Sequence, residues 1–223
     1  MSGFKQDIND QFARLGKALS NGRRLELLEY LAQSERSVEQ LARVSGLSVA
    51  NTSQHLQQMR QAGLVSARRE GKHILYSLAG EDVVQLLDIL RTVAERRLAE
   101  VREMVAKVLT ARDSLEPVQA AELLERSRLG LVTVLDVRPP EEFEAGHLPG
   151  AINLTLAELE RHLDRLPPAR EVIAYCRGPY CVLSFEAVAR LRAHGFQARR
   201  LEQGYPEWKL AGLPTQTGDA PRD

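Results

Sequence analysis

A short loop in the second half of the chain holds both of its cysteines, Cys176 and Cys181, between an apolar run and a helical pattern. The apolar run at residues 172–174 is typical of a buried strand, and apolar residues at helical spacing begin at Val182. A loop in this position lies at the carboxyl end of a strand and faces the amino terminus of a helix. Backbone N–H groups and the helix dipole favour a thiolate there. This order of elements predicts an α/β fold with a reactive Cys176.

Two further strands are predicted at residues 131–136 and 197–201, and helical segments separate the three strands along the chain. Strands that alternate with helices are typical of a parallel sheet, whose functional sites lie at the carboxyl ends of the strands. Asp136 ends the first strand, Arg138 follows it closely, and Cys176 comes directly after the second strand. The sequence therefore places these three residues at one edge of the predicted sheet.

The length of 223 residues is enough for two domains, which we place at residues 1–112 and 113–223. The segment 113–117, which ends in proline, marks the change from one domain to the next. The first domain contains 17 Lys and Arg against 13 Asp and Glu, and the second contains 13 against 17. A basic first half favours a polyanionic partner. No apolar run is long enough to span a membrane, and the first residues lack the apolar segment of a secretion signal. We therefore expect a cytoplasmic protein that keeps its cysteines reduced and has no membrane partner.

The first domain has the pattern of a winged helix-turn-helix. Ser37 opens a capping box ahead of a short helix, Gly46 makes a turn, and Ser48 caps a polar helix that Gly63 ends. A short helix, a glycine turn and a polar helix are typical of DNA-binding proteins. Two short strands joined by a turn at residues 70–72 follow, and they predict the wing.

The polar helix presents amides and hydroxyls with few acidic groups, which suits the base edges and phosphates of a DNA major groove. Basic residues at the tip of the wing could reach DNA phosphates. A solvated surface without a binding role is the alternative interpretation of the same pattern. The candidate DNA contacts are Ser48, Asn51, Thr52, Ser53, Gln54, His55, Gln58, Arg68, Arg69 and Lys72.

Residues 5–105 resemble the ArsR/SmtB family of repressors. The resemblance is carried by the segments 41–42, 46–48, 53–56, 63–65 and 69–76. It implies a homodimer, built partly from the first and last helices, that binds a palindromic operator in double-stranded DNA. A long helix predicted at residues 81–109 fits the dimerising role.

The metal sites of many members of this family have no counterpart in this sequence. Many members bind thiophilic metals through cysteines in the helix before the recognition helix, and residues 38–42 contain none. Others bind zinc through Asp and His on the last helix, which here has Asp88 and Glu95 but no histidine. His55 and His73 are isolated in the sequence. An isolated histidine is more often a structural residue or a phosphate contact than a metal ligand. We predict no metal site in this half and no cofactor for the chain.

Residues 117–214 resemble a rhodanese, or sulfurtransferase, domain. Its motifs occur in family order at residues 135–138, 142–143, 146–153, 175–177, 204–208 and 211–214. The resemblance implies that Cys176 is a nucleophile that takes up a sulfane sulfur as a persulfide and passes it to an acceptor. The predicted architecture is therefore a mainly α winged helix-turn-helix domain followed by an α/β rhodanese-like domain with a parallel sheet.

The candidate catalytic residues of the second domain are Cys176, Arg177, Asp136 and Arg138. Consecutive N–H groups curled around the sulfur of Cys176 would stabilise a thiolate or a persulfide. Arg177 and Arg138 would add positive charge nearby. The alternative role of Arg138 is to hold Asp136 and the loop in place.

The loop departs from the usual rhodanese pattern at Pro179, where many members have glycine, and at Cys181, where many have arginine. Proline removes a donor N–H and stiffens the loop. Loss of the arginine weakens the case for an anionic sulfur donor. Cys181 is a candidate resolving thiol, and an inert thiol is the alternative. A disulfide with Cys176 requires Cα atoms within about 7 Å, and we expect the loop to rearrange before it can form.

Together these features predict a DNA-binding transcriptional repressor whose rhodanese domain senses or transfers reactive sulfur. The donor would be a species such as polysulfide or thiosulfate, and the product at Cys176 a persulfide or a disulfide. One alternative is a sulfurtransferase enzyme tethered to DNA, and another is a repressor that responds to thiols or metalloids. Arsenate reduction ranks last, because the loop is short and poor in arginine for a tetrahedral oxyanion.

Overall fold

The computed structural model describes residues 2–110 and 116–218. Backbone packing divides the chain into two compact units, Met1–Asp88 and Ile89–Asp223. The domain boundary predicted between residues 112 and 113 lies outside the described residues. Within the described ranges, no helix combines the length and apolar character that a membrane crossing needs.

The first unit is mainly helical, and its helix starts follow from the side chains that precede them. Asn21, Ser37 and Ser48 each accept a hydrogen bond from the backbone of the helix that they cap. The capping box at Ser37 and the cap at Ser48 confirm the sequence predictions. The elements are α1 (Ser2–Leu19), α2 (Gly22–Leu31), β1 (Arg36–Ser37), α3 (Val38–Ser45), α4 (Val49–Gln61), β2 (Val65–Glu70) and β3 (His73–Leu78).

The predicted helix-turn-helix and wing are present in this unit. Gly46 turns the chain between α3 and α4 with a left-handed φ of +68°. Strands β2 and β3 pair antiparallel around Gly71, whose φ is +59°. The unpredicted strand β1 pairs with β3, so the sheet order is β1-β3-β2. A core that includes the fully buried Leu27, Leu41 and Leu56 fixes α4 against the other helices.

The single helix predicted at residues 81–109 is wrong, because it breaks at Leu98. Helix α5 spans Glu81–Arg97, α6 spans Ala99–Val105, and a π-helical turn follows at Ala106–Thr110. Leu98 has an extended backbone with φ −103° and ψ 114°. The guanidinium of Arg102 donates to the carbonyl oxygens of the last turn of α5, at 3.2 and 3.1 Å. This side chain replaces backbone donors that the carbonyls lack at a helix end.

A four-stranded parallel sheet organises the second unit, in the order β5-β4-β6-β7. The three predicted strands are confirmed, and the short β5 is an addition. A 3₁₀ turn lies at Leu163–Arg165. The elements are α7 (Ala120–Arg128), β4 (Val132–Asp136), α8 (Pro140–Ala145), β5 (Ile152–Asn153), α9 (Leu156–Leu159), β6 (Glu171–Tyr175), α10 (Val182–Ala193), β7 (Ala198–Arg200) and α11 (Tyr205–Leu210).

Apolar side chains cover both faces of this sheet. Along β6, Ile173 and Tyr175 join one core cluster, whereas Val172 and Ala174 join the other. Side chains of a strand point alternately to opposite faces, so a strand that is buried on both faces has a continuous apolar run. This explains why the run before the cysteine loop predicted the strand correctly.

The last described residues of the second unit pair with a loop near its middle. The backbones of Gln216 and His147 exchange two hydrogen bonds, at 2.8 and 2.9 Å. The side-chain oxygen of Gln216 also accepts from the Gly150 N–H at 3.0 Å. The indole N–H of Trp208 donates to the carbonyl oxygen of Pro214 at 2.8 Å. These contacts fix the segment after α11 against the domain.

Candidate functional site

The cysteine loop connects β6 to α10 at the carboxyl edge of the parallel sheet, as the sequence predicted. Cys176 follows β6 directly and is 1% exposed, whereas Cys181 is half-buried at the N-cap position of α10. The N–H of Cys181 donates to the carbonyl oxygen of Gly178 at 3.1 Å, which closes a tight turn. This turn brings the end of the loop back toward its beginning.

Cys176 and Cys181 are joined by a disulfide, and their Cα atoms lie 6.1 Å apart. This separation is within the range that a disulfide can bridge. The structure shows the loop with the disulfide already formed, so the expectation that the loop rearranges before the two sulfurs can meet stays a prediction. In this disulfide form, the turn at Gly178 directs Cys181 back to Cys176 rather than away from it.

Asp136 and Arg138 form a buried ion pair beside the end of β4. The side chains of both residues have no exposed surface, and Arg138 Nη2 lies 2.6 Å from Asp136 Oδ2. The same Nη2 donates to the carbonyl oxygen of Gly146 at 2.7 Å. Burial opposes the charge of Arg138, but the Asp136 carboxylate outweighs it and raises the pKa of Arg138. The pair therefore fixes the loop after β4, and direct catalytic roles for both residues stay predictions.

Tyr175 connects this ion pair to the strand that carries the loop. Its hydroxyl donates to Asp136 Oδ2 and accepts from the backbone N–H of Leu148. Burial, together with the negative charge of Asp136, holds the pKa of Tyr175 well above its ordinary value. The phenol is therefore a neutral hydrogen-bonding group that holds β4 and β6 in register at the site.

Arg177, the residue after Cys176, pairs with a buried carboxylate. Its Nε lies 3.0 and 2.9 Å from the two carboxylate oxygens of Glu142, and its Nη2 lies 2.8 Å from Oε1. The side chain of Glu142 has no exposed surface, and that of Arg177 is 21% exposed. The cationic group predicted next to the sulfur is thus held by Glu142, which the sequence analysis did not include in the site.

Gly204 is a supporting residue that sequence reasoning did not single out. A Cβ at this position would collide with the backbone of Arg177 and Gly178. The next residue, Tyr205, donates its N–H to the carbonyl oxygen of Cys176 at 3.1 Å. The signal was present in the sequence, because a glycine at the start of a short helix allows a close backbone approach.

The amino-terminal part of α4 carries the candidate DNA-reading surface, and one of its predicted contacts is wrong. Thr52 was placed on the exposed face, but it is fully buried and its hydroxyl donates to the Ser48 carbonyl oxygen at 2.9 Å. Ser53 is half-buried, whereas Asn51 and Gln54 are exposed. Thr52 points inward because its position shares the inner face of α4 with the core residues of the helix.

Ser48, Gln58 and His55 complete the predicted contacts of α4. Ser48 and Gln58 are exposed, and Gln58 accepts from Arg24 Nη1 at 2.6 Å. His55 is half-buried, and its Nδ1 has no hydrogen-bond partner among the described residues. Burial, with a smaller contribution from the charge of Arg24, lowers the pKa of His55. This environment favours a neutral imidazole.

The three basic residues predicted at the wing are exposed, but their charges differ in availability. Arg68 Nη2 lies 2.6 Å from Glu35 Oε2, and Arg68 Nη1 lies 3.0 Å from Glu70 Oε1. The hydrogen bonds that Arg68 donates to Glu35, and then those to Glu70, raise the pKa of Arg68. Arg69 Nε donates to the carbonyl oxygen of Gly71 at 3.1 Å. A phosphate that approaches Arg68 therefore competes with two carboxylates.

No group of three or more His, Cys, Asp or Glu side chains in the described ranges could hold a metal ion. The two cysteines are bonded to each other.

Comparison with known proteins assigns the two compact units to two different families. Residues 21–67 match the family "Bacterial regulatory protein, arsR family", and residues 119–211 match the family "Rhodanese-like domain". The chain is 47% identical over 217 residues to the HTH-type transcriptional regulator Rv0324 of Mycobacterium tuberculosis, covering 97% of this chain and 95% of that protein. It is also 41% identical over 85 residues to the HTH-type transcriptional regulator YgaV of Escherichia coli, covering 38% and 86% of the two chains.

Solved structures resemble each part separately. The solution structure of the homodimeric winged helix-turn-helix domain of Mb0332 from Mycobacterium bovis has 47% identity and a TM-score of 0.41, covering 43% of this chain and 89% of that one. A rhodanese-related protein from Thermoplasma volcanium has 28% identity and a TM-score of 0.41, covering 46% and 98%. From its sequence relatives and its family matches, this chain belongs to the ArsR family of HTH-type transcriptional regulators, as a member that carries a rhodanese domain.

Proposed function

We propose that this transcriptional regulator is a repressor that responds to reactive sulfur, through a switch between the dithiol and the disulfide of Cys176 and Cys181. The observation that carries the proposal is the disulfide in the rhodanese loop, whose Cα atoms lie 6.1 Å apart. A nucleophile bonded to its neighbour cannot accept another sulfur. The loop is therefore better suited to a single chemical event that is later reversed than to continuous turnover.

The reaction proceeds in two steps with a polysulfide as the oxidant. The thiolate of Cys176 attacks a sulfane sulfur, the adjacent S–S bond breaks, and a shorter polysulfide leaves with the electron pair. The thiolate of Cys181 then attacks the sulfur of Cys176, forms the disulfide and releases hydrosulfide. Two thiols lose two electrons in all, and one sulfane sulfur is reduced to sulfide. A cellular thiol restores the dithiol by exchange.

The repressor binds double-stranded operator DNA as a homodimer in this proposal. Large apolar side chains on α1 and α5 are exposed, including Phe4, Phe12, Ile89 and Val93, at 73, 62, 61 and 52%. Exposed apolar surface of this kind marks a site of association. Work in the cytoplasm keeps the two thiols reduced until reactive sulfur reaches them.

The test uses a DNA duplex that the reduced protein selects from a random-sequence pool. Fluorescence anisotropy gives the affinity of the protein for this duplex before and after treatment with sodium tetrasulfide. We expect the treatment to weaken binding by about tenfold, a typical size for coupling between two sites. Cys176→Ser and Cys181→Ser are expected to show no such change. An unchanged affinity of the wild type would overturn the proposal.

Intact mass separates the two chemical steps in the same samples. The wild type loses two hydrogens, whereas Cys181→Ser gains one sulfur because a persulfide on Cys176 has no resolving thiol. Sustained release of product from thiosulfate and a thiol acceptor by the wild type would instead support a sulfurtransferase tethered to DNA.

A further inference from the structure

An ion pair joins the second half of α5 to the short helix α11. Arg91 Nη1 donates to Glu207 Oε1 at 3.0 Å, and the two side chains are only 17% and 5% exposed. Both residues belong to the second compact unit, Ile89–Asp223. Separation of a pair this deeply buried is costly, so the pair holds its two helices at a fixed spacing.

The other carboxylate oxygen of Glu207 holds the segment that supports the cysteine loop. Glu207 Oε2 accepts the backbone N–H of Gly204 at 3.0 Å. Gly204 lies directly against the loop backbone at Arg177 and Gly178, and Tyr205 donates its N–H to the carbonyl oxygen of Cys176. A displacement of Glu207 therefore moves Gly204 and Tyr205, which contact the backbone of the cysteine loop directly.

The ion pair also lies close to the loop itself. A Cβ at Gly178 would be 3.7 Å from Glu207 Oε1 and 4.0 Å from Arg91 Nη1. Gly178 accepts the N–H of Cys181 in the turn that brings the two cysteines together. The guanidinium of Arg91 thus lies next to the turn that brings the two cysteines together.

We infer that Arg91 is a positioning residue that couples the state of Cys176 and Cys181 to helix α5, through Glu207 and Gly204. Helix α5 begins at Glu81 in the first unit and continues past Arg91 in the second, so it is a covalent connection between the two. The inference rests on the proposed function and extends it, because it names the residues through which sulfur chemistry reaches the DNA-binding unit.

The first measurement compares the affinity of the selected DNA duplex for the reduced and the tetrasulfide-treated protein. For Arg91→Gln we expect the tenfold difference of the wild type to fall below about twofold. The matched control is Arg97→Gln, which removes the same charge from an exposed position of the same helix and should keep the full difference. Arg91→Lys retains the charge without the guanidinium fork and should restore part of the difference. A full difference in Arg91→Gln would overturn the inference.

The second measurement uses the reciprocity of coupling between two sites. If oxidation weakens DNA binding tenfold, then bound DNA must lower the tendency of the dithiol to oxidise, which raises the reduction potential of the disulfide by about 30 mV. The DNA duplex should produce this shift in the wild type and in Arg97→Gln but not in Arg91→Gln. A merely structural role of Arg91 would change the potential equally with and without DNA.

The third measurement is independent of DNA and protects the inference from a failure of the proposed function. It is the rate at which iodoacetamide alkylates Cys176 in the reduced Cys181→Ser protein, with and without Arg91→Gln. We expect the rate to change in the double variant, since the loop backbone has lost a support. If tetrasulfide leaves the DNA affinity of the wild type unchanged, the proposed function fails. The alkylation rate of Cys176 then decides by itself whether Arg91 positions the loop. An unchanged rate would then overturn the inference as well.

Discussion

The candidate DNA-reading surface of α4 and the cysteine loop are built in opposite ways. Asn51 and Gln54 extend into solvent from a helix whose inner face is packed. Around the cysteine loop, by contrast, the side chains of Asp136, Arg138 and Glu142 are completely buried in ion pairs. A surface that reads DNA must leave its polar groups available, whereas a sulfur site needs a backbone held in place. Substitutions of exposed residues in α4 should therefore change DNA binding without changing the free energy of unfolding. Substitutions around the loop should change the function of the site and the free energy of unfolding together.

The largest expected effect comes from Arg138→Met, which leaves the carboxylate of Asp136 buried without its cationic partner. Loss of one member of a buried pair costs about 3–5 kcal/mol of folding free energy. Urea unfolding followed by the fluorescence of Trp208, the single tryptophan and 2% exposed, reports on the second unit. The control is Glu186→Ala in the half-exposed helix pair with Arg190, which lies in the same unit, where a change of less than about 1 kcal/mol is expected. Equal effects of the two substitutions would contradict the contrast.

Gly204→Ala should cost about 3 kcal/mol, at the upper end of the range for overpacking, because the added methyl meets backbone rather than a flexible side chain. The expected result is weaker folding of the second unit and slower disulfide formation, measured by quenched thiol labelling. Gly178→Ala is the matched control in the loop itself, since its Cβ would meet only ordinary contacts. The prediction is wrong if both variants behave like the wild type.

Gln54→Ala should weaken binding to the selected DNA duplex by about 1–3 kcal/mol and leave the melting temperature unchanged. Thr52→Ala tests the opposite case, since its buried hydroxyl donates to a backbone carbonyl. Its loss should lower the stability of the first unit by about 1 kcal/mol. Anisotropy and circular dichroism measured on both variants separate reading from folding. A stable Thr52→Ala protein that fails to bind DNA would restore Thr52 as a direct contact.

The smallest effect concerns His55, whose pKa is lowered by burial and by Arg24. The unfolded chain binds the proton more readily than the folded one, so the stability of the first unit falls as pH drops below the ordinary value of 6.5. The contribution is fully present above that pH. His55→Gln should flatten this dependence of melting temperature on pH. An unchanged slope in the variant would show that another group causes it.

Local signals in the sequence predicted much of this architecture. The caps at Ser37 and Ser48 and the three apolar strands of the second unit depend on neighbouring residues, and all of them are confirmed. The two-residue strands β1 and β5 are too short to have a periodicity of their own. They form because strands that are distant in the sequence, β3 for β1 and β4 for β5, supply backbone hydrogen-bonding partners. A local sequence pattern does not reveal such partners.

The features of the site that the sequence analysis missed are long-range contacts. Arg68 finds Glu35 from 33 positions away, and Arg177 finds Glu142 from 35 positions away. The proximity of Cys181 to Cys176 depends on a turn that itself packs against Gly204. Charge and spacing along the chain show which groups are available, but only the packed fold determines which of them meet.

The pairing of Gln216 with His147 has a practical consequence for protein engineering. The rhodanese family match ends at residue 211, yet the backbone and side chain of Gln216 and the partner of the Trp208 indole lie beyond it. A fragment cut at residue 211 would open the loop at His147 to water and remove the acceptor of a buried indole. A reporter protein fused to the rhodanese domain should therefore be joined after residue 218, so that the contacts of Pro214 and Gln216 with the domain are kept.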